Sequence, residues 1–111
     1  MEALLDACLA SDHAAAAEHI VYRGEDPARR WRTSVQIDNP AEAETVSQVC
    51  GRLRALLGPS GAHEKLDYEQ SEQSEGSWHV WHVAFGTGSG QATRVLAFLE
   101  VDGRYLLGDI D

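Results

Sequence analysis

Thr93-Arg94-Val95-Leu96-Ala97-Phe98-Leu99-Glu100-Val101-Asp102-Gly103-Arg104-Tyr105-Leu106-Leu107-Gly108-Asp109-Ile110 decides the fold class. Seven of its first nine residues are β-branched, aliphatic or aromatic, which suits a strand. Asp102-Gly103 is a two-residue hairpin signal, because both positions of a type I′ turn need positive φ. Tyr105 to Ile110 then runs back antiparallel. Working upstream, Gly86-Thr87-Gly88-Ser89-Gly90 reads as a hairpin loop, Trp78 to Phe85 as a second strand, and Glu75-Gly76 as a turn. Leu66 to Ser74, with Leu66 and Tyr68 alternating with charges, reads as a half-exposed strand. The second half is therefore a four-strand antiparallel meander.

Ahead of Leu66 the period is helical. Asn39 is a strong N-cap, Pro40 fits the first helical position, and Glu42 stands where a capping-box acid reaches back. Val46, Val49, Cys50, Leu53, Leu56 and Leu57 form one face, and Gly58-Pro59 is a stop. Gly51 in mid-helix suggests a close approach by another element. Glu2 to about Tyr22 reads as two short helices or one broken one, with Leu4, Leu5, Cys8 and Leu9 on an apolar face and Ser11-Asp12 as an internal cap. Ile20 and Val21 continue that apolar edge. Asp26-Pro27 starts a further helical turn through Arg30, and Val35 to Ile37 reads as a short extended piece. Helices followed by a meander predict one α+β domain over residues 1–111, with the helices on one sheet face.

The 111 residues carry 18 acids against 9 bases, a net charge of −9. That excludes a nucleic-acid partner, which needs a basic surface. Lys65 is the only lysine. No apolar run suits a bilayer span, and Met1 to Asp6 lacks the basic and apolar regions of an export signal. Cys8 and Cys50 sit in apolar helical patterns and read as buried, unreactive thiols in a reducing cytoplasm.

The order of helices, long helix and closing hairpin from Phe98 to Asp111 resembles the nuclear transport factor two-like, or cystatin-like, α+β roll. That resemblance implies a curved sheet wrapped around a helix, leaving a pocket in the cone. Its superfamily spans enzymes and non-enzymes, so the resemblance implies no particular chemistry.

Candidate chemistry is sparse. His79 and His82 are three apart on a strand and point to opposite faces, so no shared metal is expected. The glycine-rich loop leads into a strand rather than a helix, unlike a dinucleotide fingerprint, and no cofactor is expected. Arg23, Arg29, Arg30 and Arg32 lie near Glu25 and Asp26, which suits either internal ion pairs or an anion at a pocket mouth. Glu64 to Glu75 lacks calcium-loop spacing and reads as a charged strand edge.

The expected pocket lies on the helix-covered face. It is lined by Tyr22, Trp31, His79, Trp81 and Asp109, with Arg30 at its mouth, and His79 or Asp109 is the proton carrier if chemistry occurs. Trp78, Val80 and Ala84 with Val95, Ala97, Leu99 and Val101 make the other face apolar too, which predicts a homodimer through the sheet. Three functions stay open: a dimeric domain binding a small molecule, a cofactor-free lyase or isomerase using a His/Asp pair, and a purely structural interaction module.

Overall fold

A computed structural model describes residues 1–86 and 91–111; the loop expected at Gly86–Gly90 lies mostly outside the described residues. Three helices, α1 (Glu2–Leu9), α2 (His13–Ala17) and α3 (Pro40–Leu57), precede four strands, β1 (His63–Gln73), β2 (Gly76–Phe85), β3 (Ala92–Val101) and β4 (Arg104–Ile110). The strands form one antiparallel sheet in the order β1-β2-β3-β4. This is the α+β meander that the period change implies.

The local signals act as their chemistry requires. Asn39 accepts hydrogen bonds from the Ala41 and Glu42 amides, satisfying two of the donors that a helix start leaves unpaired. Gly58 stops α3 at φ 66°, where a side chain would be strained. Asp102 and Gly103 both have positive φ, at 50° and 77°, and turn β3 into β4. Asp12 caps α2 through the Ala15 amide.

The core lies between the helices and one sheet face. Val46, Cys50, Leu53 and Leu57 of α3 meet Leu4, Leu5 and Cys8 of α1, and both rest on Val83, Phe85, Leu96 and Phe98. Val49 and Leu56, at the edge of the α3 stripe, are only partly buried. On the second face a smaller cluster of Val21, Leu99 and Leu106 is covered by Trp31 and Trp78. Trp78 lies flat enough on β4 that a Cβ at Gly108 would come within 2.5 Å of its ring, which is why glycine stands there.

Three readings of the helical half are corrected. Ile20 and Val21 leave the helix and extend along β4: Ile20 bridges Leu107 in parallel and Val21 bridges Ser34. Their apolar side chains fall on opposite sheet faces, which a helical edge would not allow. Pro27 to Arg32 forms turns rather than a helix, although Asp26 caps them through the Ala28 amide. Gly51 is exposed, and a Cβ there would meet nothing within 4 Å, so no element packs against it.

The cysteines are the fourth correction. Cys8 and Cys50 are joined in a disulfide, with Cα atoms 4.8 Å apart. Helical periodicity shows that a face is apolar but not which face it meets, so the sequence marks each cysteine as buried without pairing the two. Disulfides persist in oxidising compartments, so this link points away from the reducing cytoplasm expected from the sequence.

Closing a loop across a separation of 42 residues restricts the unfolded chain. Reduction, or the double substitution Cys8→Ala and Cys50→Ala, is expected to lower unfolding free energy by up to about 4 kcal/mol. Urea denaturation with and without reductant measures this, and coincident curves would show that the link does not form.

Candidate functional site

The residues expected to line one pocket are distributed over three clefts. Tyr22 and Asp109 line a cleft of about 560 Å³ between α3 and the end of β4. Arg30 and Trp31 line a second, beside Ser74 and Glu75 at the β1–β2 turn. His79 and Trp81 line a third, of about 330 Å³, with Lys65, Tyr68, Phe98 and Tyr105. His79 and Trp81 do share the helix-covered sheet face with Val83 and Phe85, as their alternation requires. Trp31 stands on the opposite face, edge-on to Trp78 at 5.7 Å between ring centroids. The single lining is therefore divided, and the expected His79/Asp109 pair is split between two clefts.

The cleft between α3 and β4 has an apolar floor of Ile20, Val35, Val49, Leu107 and Ile110. Its rim is polar, with Asn39, Thr45, Arg52, Arg23 and Asp109. Two rim arginines are fixed by backbone carbonyls: Arg52 donates to Ile110 at 3.2 Å and Arg23 to Gly108. Arg23 also lies over the Trp31 ring.

Glu42 organises the wall of this cleft. It stands at the α3 N-terminus and is only 6% exposed. Its carboxylate accepts both terminal nitrogens of Arg29, at 2.6 and 3.1 Å, and the Gln36 amide at 3.0 Å. The capping-box expectation is corrected here, because Glu42 reaches back past Asn39 to Gln36. The bidentate partner explains the choice, since a guanidinium fork matches a carboxylate better than a lone amide does. Arg29 in turn stacks 4.0 Å from the centre of the Tyr22 ring. Of the arginine cluster, Arg29 thus resolves as an internal ion pair, and Arg30 donates to the Gly24 carbonyl.

The third cleft holds a continuous proton path that the sequence reading did not assemble. His79 is 8% exposed. Its Nε2 lies 2.9 Å from Glu100 Oε1, and its Nδ1 lies 2.5 Å from the Tyr68 hydroxyl. A carboxylate only accepts, so Nε2 carries the proton and donates to Glu100. On a neutral ring Nδ1 is then an acceptor, and Tyr68 O–H donates to it. Tyr105 packs edge-on against the imidazole at 4.8 Å, and Trp81 packs against Tyr68 at 4.6 Å. Lys65 Nζ sits 4.8 Å from the Trp81 ring centre.

Strand register makes this cluster. The tight β1–β2 turn places Tyr68 opposite Trp81 and Gln70 opposite His79, so Tyr68 and His79 are diagonal neighbours on one face. β3 places Phe98 opposite His79, with Glu100 one step along the same face. Counting pairs outward from a turn at Ser74-Glu75, one residue before the expected Glu75-Gly76, places Tyr68 beside His79, whereas Glu100 depends on the β2–β3 register, which the Asp102-Gly103 hairpin does not set. Leu66, at a register shift between Lys65 and Asp67, is more than half exposed, and this bulge puts Lys65 and Tyr68 on the same face despite their odd separation.

The bond from Arg29 holds the Glu42 carboxyl below the usual carboxylate range, assisted by the Gln36 amide and opposed by burial. A depressed folded value means that the carboxylate stabilises the fold above the titration of the unfolded carboxyl, about pH 4.3. That stabilisation is lost as pH falls through the folded value. Glu42→Gln is expected to lower the melting temperature most at neutral pH, the deficit narrowing below about pH 4. Thermal melts of both proteins from pH 3 to 7, values chosen to bracket about 4.3, measure it; a deficit independent of pH would contradict the pairing.

The chain matches no family model, no curated protein and no solved structure.

Proposed function

We propose that the chain is a binding domain that takes a small, largely apolar molecule into the cleft between α3 and β4. The observation that carries this reading is the cleft itself: about 560 Å³, with an aliphatic floor and a polar rim held in place by backbone bonds. Volumes of this order accommodate drug-sized ligands, and apolar walls with a few oriented polar groups are their usual lining. The Arg29–Glu42 pair and the Asn39 cap keep the wall rigid, so little ordering cost falls on binding. The element order also resembles the nuclear transport factor two-like roll, and the cleft lies between a long helix and the sheet, where that resemblance implies a pocket.

The same reading includes a homodimer through the second sheet face. Val80, Val95, Ala97 and Val101 are only partly buried there. The core of all three helices lies against the first face, and Trp31 and Val21 cover only the Leu99–Leu106 end of the second. A second copy would bury the remaining apolar band.

An anilinonaphthalene dye titrated into the protein is expected to bind one site per chain and brighten. Val49→Trp, which fills the floor from α3, is expected to weaken binding at least tenfold (about 1.4 kcal/mol). Undiminished binding would overturn the cleft assignment. Light scattering at micromolar concentration is expected to return twice the chain mass of 12.1 kDa. Val80→Glu is expected to return the monomer; a monomeric parent protein would remove the dimer from the reading.

A further inference from the structure

The third cleft lies apart from the one just proposed to bind ligand, and its chemistry is different. We propose that Tyr68 is a nucleophile that accepts an acyl group from small esters of aromatic alcohols, with His79 as its base and Glu100 as the group that positions His79.

The arrangement has the three parts that such a site needs. The nucleophile and base are within hydrogen-bond reach, and the base is oriented by a third group. Tyr68 donates its proton to Nδ1, which leaves the oxygen lone pairs for an electrophile. Glu100 holds the proton on Nε2, which keeps Nδ1 as the accepting nitrogen and stabilises the imidazolium that forms. Burial of His79 between Tyr105 and the sheet fixes the ring.

The cleft also defines the substrate. Its volume of about 330 Å³ is at the lower end for ligand sites, which suits a small molecule. Trp81 and Tyr105 offer aromatic surface for a planar leaving group. Lys65, the only lysine of a strongly acidic chain, lines the same cleft and supplies positive charge for a carbonyl oxygen that becomes negative.

The step balances within the site. The Tyr68 oxygen bonds to the acyl carbon as its proton passes to His79 Nδ1, and the carbonyl electron pair moves onto oxygen beside Lys65. Collapse breaks the ester C–O bond, and the departing aryloxide takes the proton from His79. Water then attacks the acyl-tyrosine, giving its proton to Nδ1, and the carboxylic acid leaves as Tyr68 recovers a proton from His79. No oxidant, metal or cofactor enters.

The test uses p-nitrophenyl acetate and the whole chain. The parent protein is expected to release one p-nitrophenol per chain in a burst and then turn over more slowly. Peptide mass spectrometry is expected to place one acetyl group on Tyr68. Tyr68→Phe, at a half-exposed position on an edge strand, is expected to fold as the parent does and to lose the burst. His79→Gln is expected to slow acetylation by about 100-fold or more. Glu100→Gln is expected to lower kcat about tenfold or more with KM unchanged, because it acts on the base and not on the substrate. Acetyl on Lys65 or elsewhere, or a burst retained by Tyr68→Phe, would overturn the proposal. Should a variant fail to fold, the position of the acetyl group in the parent protein still decides.

Discussion

The structure depends on the packing of one helix stripe on one part of one sheet face. Val46, Cys50, Leu53 and Leu57 of α3 bury themselves against Val83, Phe85, Leu96 and Phe98, with α1 filling the flank. Each such side chain contributes on the order of 1.5–3 kcal/mol when removed from water. The Cys8–Cys50 link then fixes α1 to α3 at the centre of that contact. An 18-residue helix is about 27 Å long, whereas the sheet face offers three strands of ten or eleven residues beside it. The helical layer cannot cover the whole face, and both clefts on that face follow from the shortfall.

At the α3 N-terminus the uncovered region is apolar, and its walls are held by a paired charge. Leaving Glu42 buried without Arg29 would strand an ion with little water, so the turn from Asp26 to Thr33 is tied to α3 by the carboxylate's need for a partner. At the other end the uncovered region is aromatic and titratable. Tyr68 and Tyr105 remain partly exposed while His79 beneath them is buried. A buried imidazole must satisfy both ring nitrogens, and here it does so with one acceptor and one donor. The same demand that makes His79 structurally acceptable also aligns a proton path.

Much of the fold was legible because its signals are local. The Asn39 cap, the Gly58 stop, the Asp102-Gly103 turn and the alternation along β2 and β3 each act within a few residues. The most consequential failures come from pairing across distance. Nothing near Cys8 points to Cys50, and nothing near Ile20 points to Leu107 as its neighbour. The grouping of Tyr22, Trp31 and Trp81 into one lining assumed that the arginine-rich connection closes the covered face. Instead Ile20 and Val21 run along β4, and the turn from Pro27 to Arg32 carries Trp31 onto the Val21, Leu99 and Leu106 cluster on the far side. Tyr68 and Glu100 were hidden differently, since each looked like part of a charged or exposed strand until register set them around His79.

Buried His79 is held with its proton on Nε2 by Glu100, leaving Nδ1 to accept from Tyr68. Long-range proton–nitrogen NMR correlation on uniformly nitrogen-15-labelled protein near neutral pH reads this directly. His79 is expected as the Nε2–H tautomer, and Glu100→Gln is expected to disturb that signal while leaving the resonances of His19 in place. A His79 ring protonated on Nδ1 alone, or one averaging between tautomers as a solvated imidazole does, would contradict it.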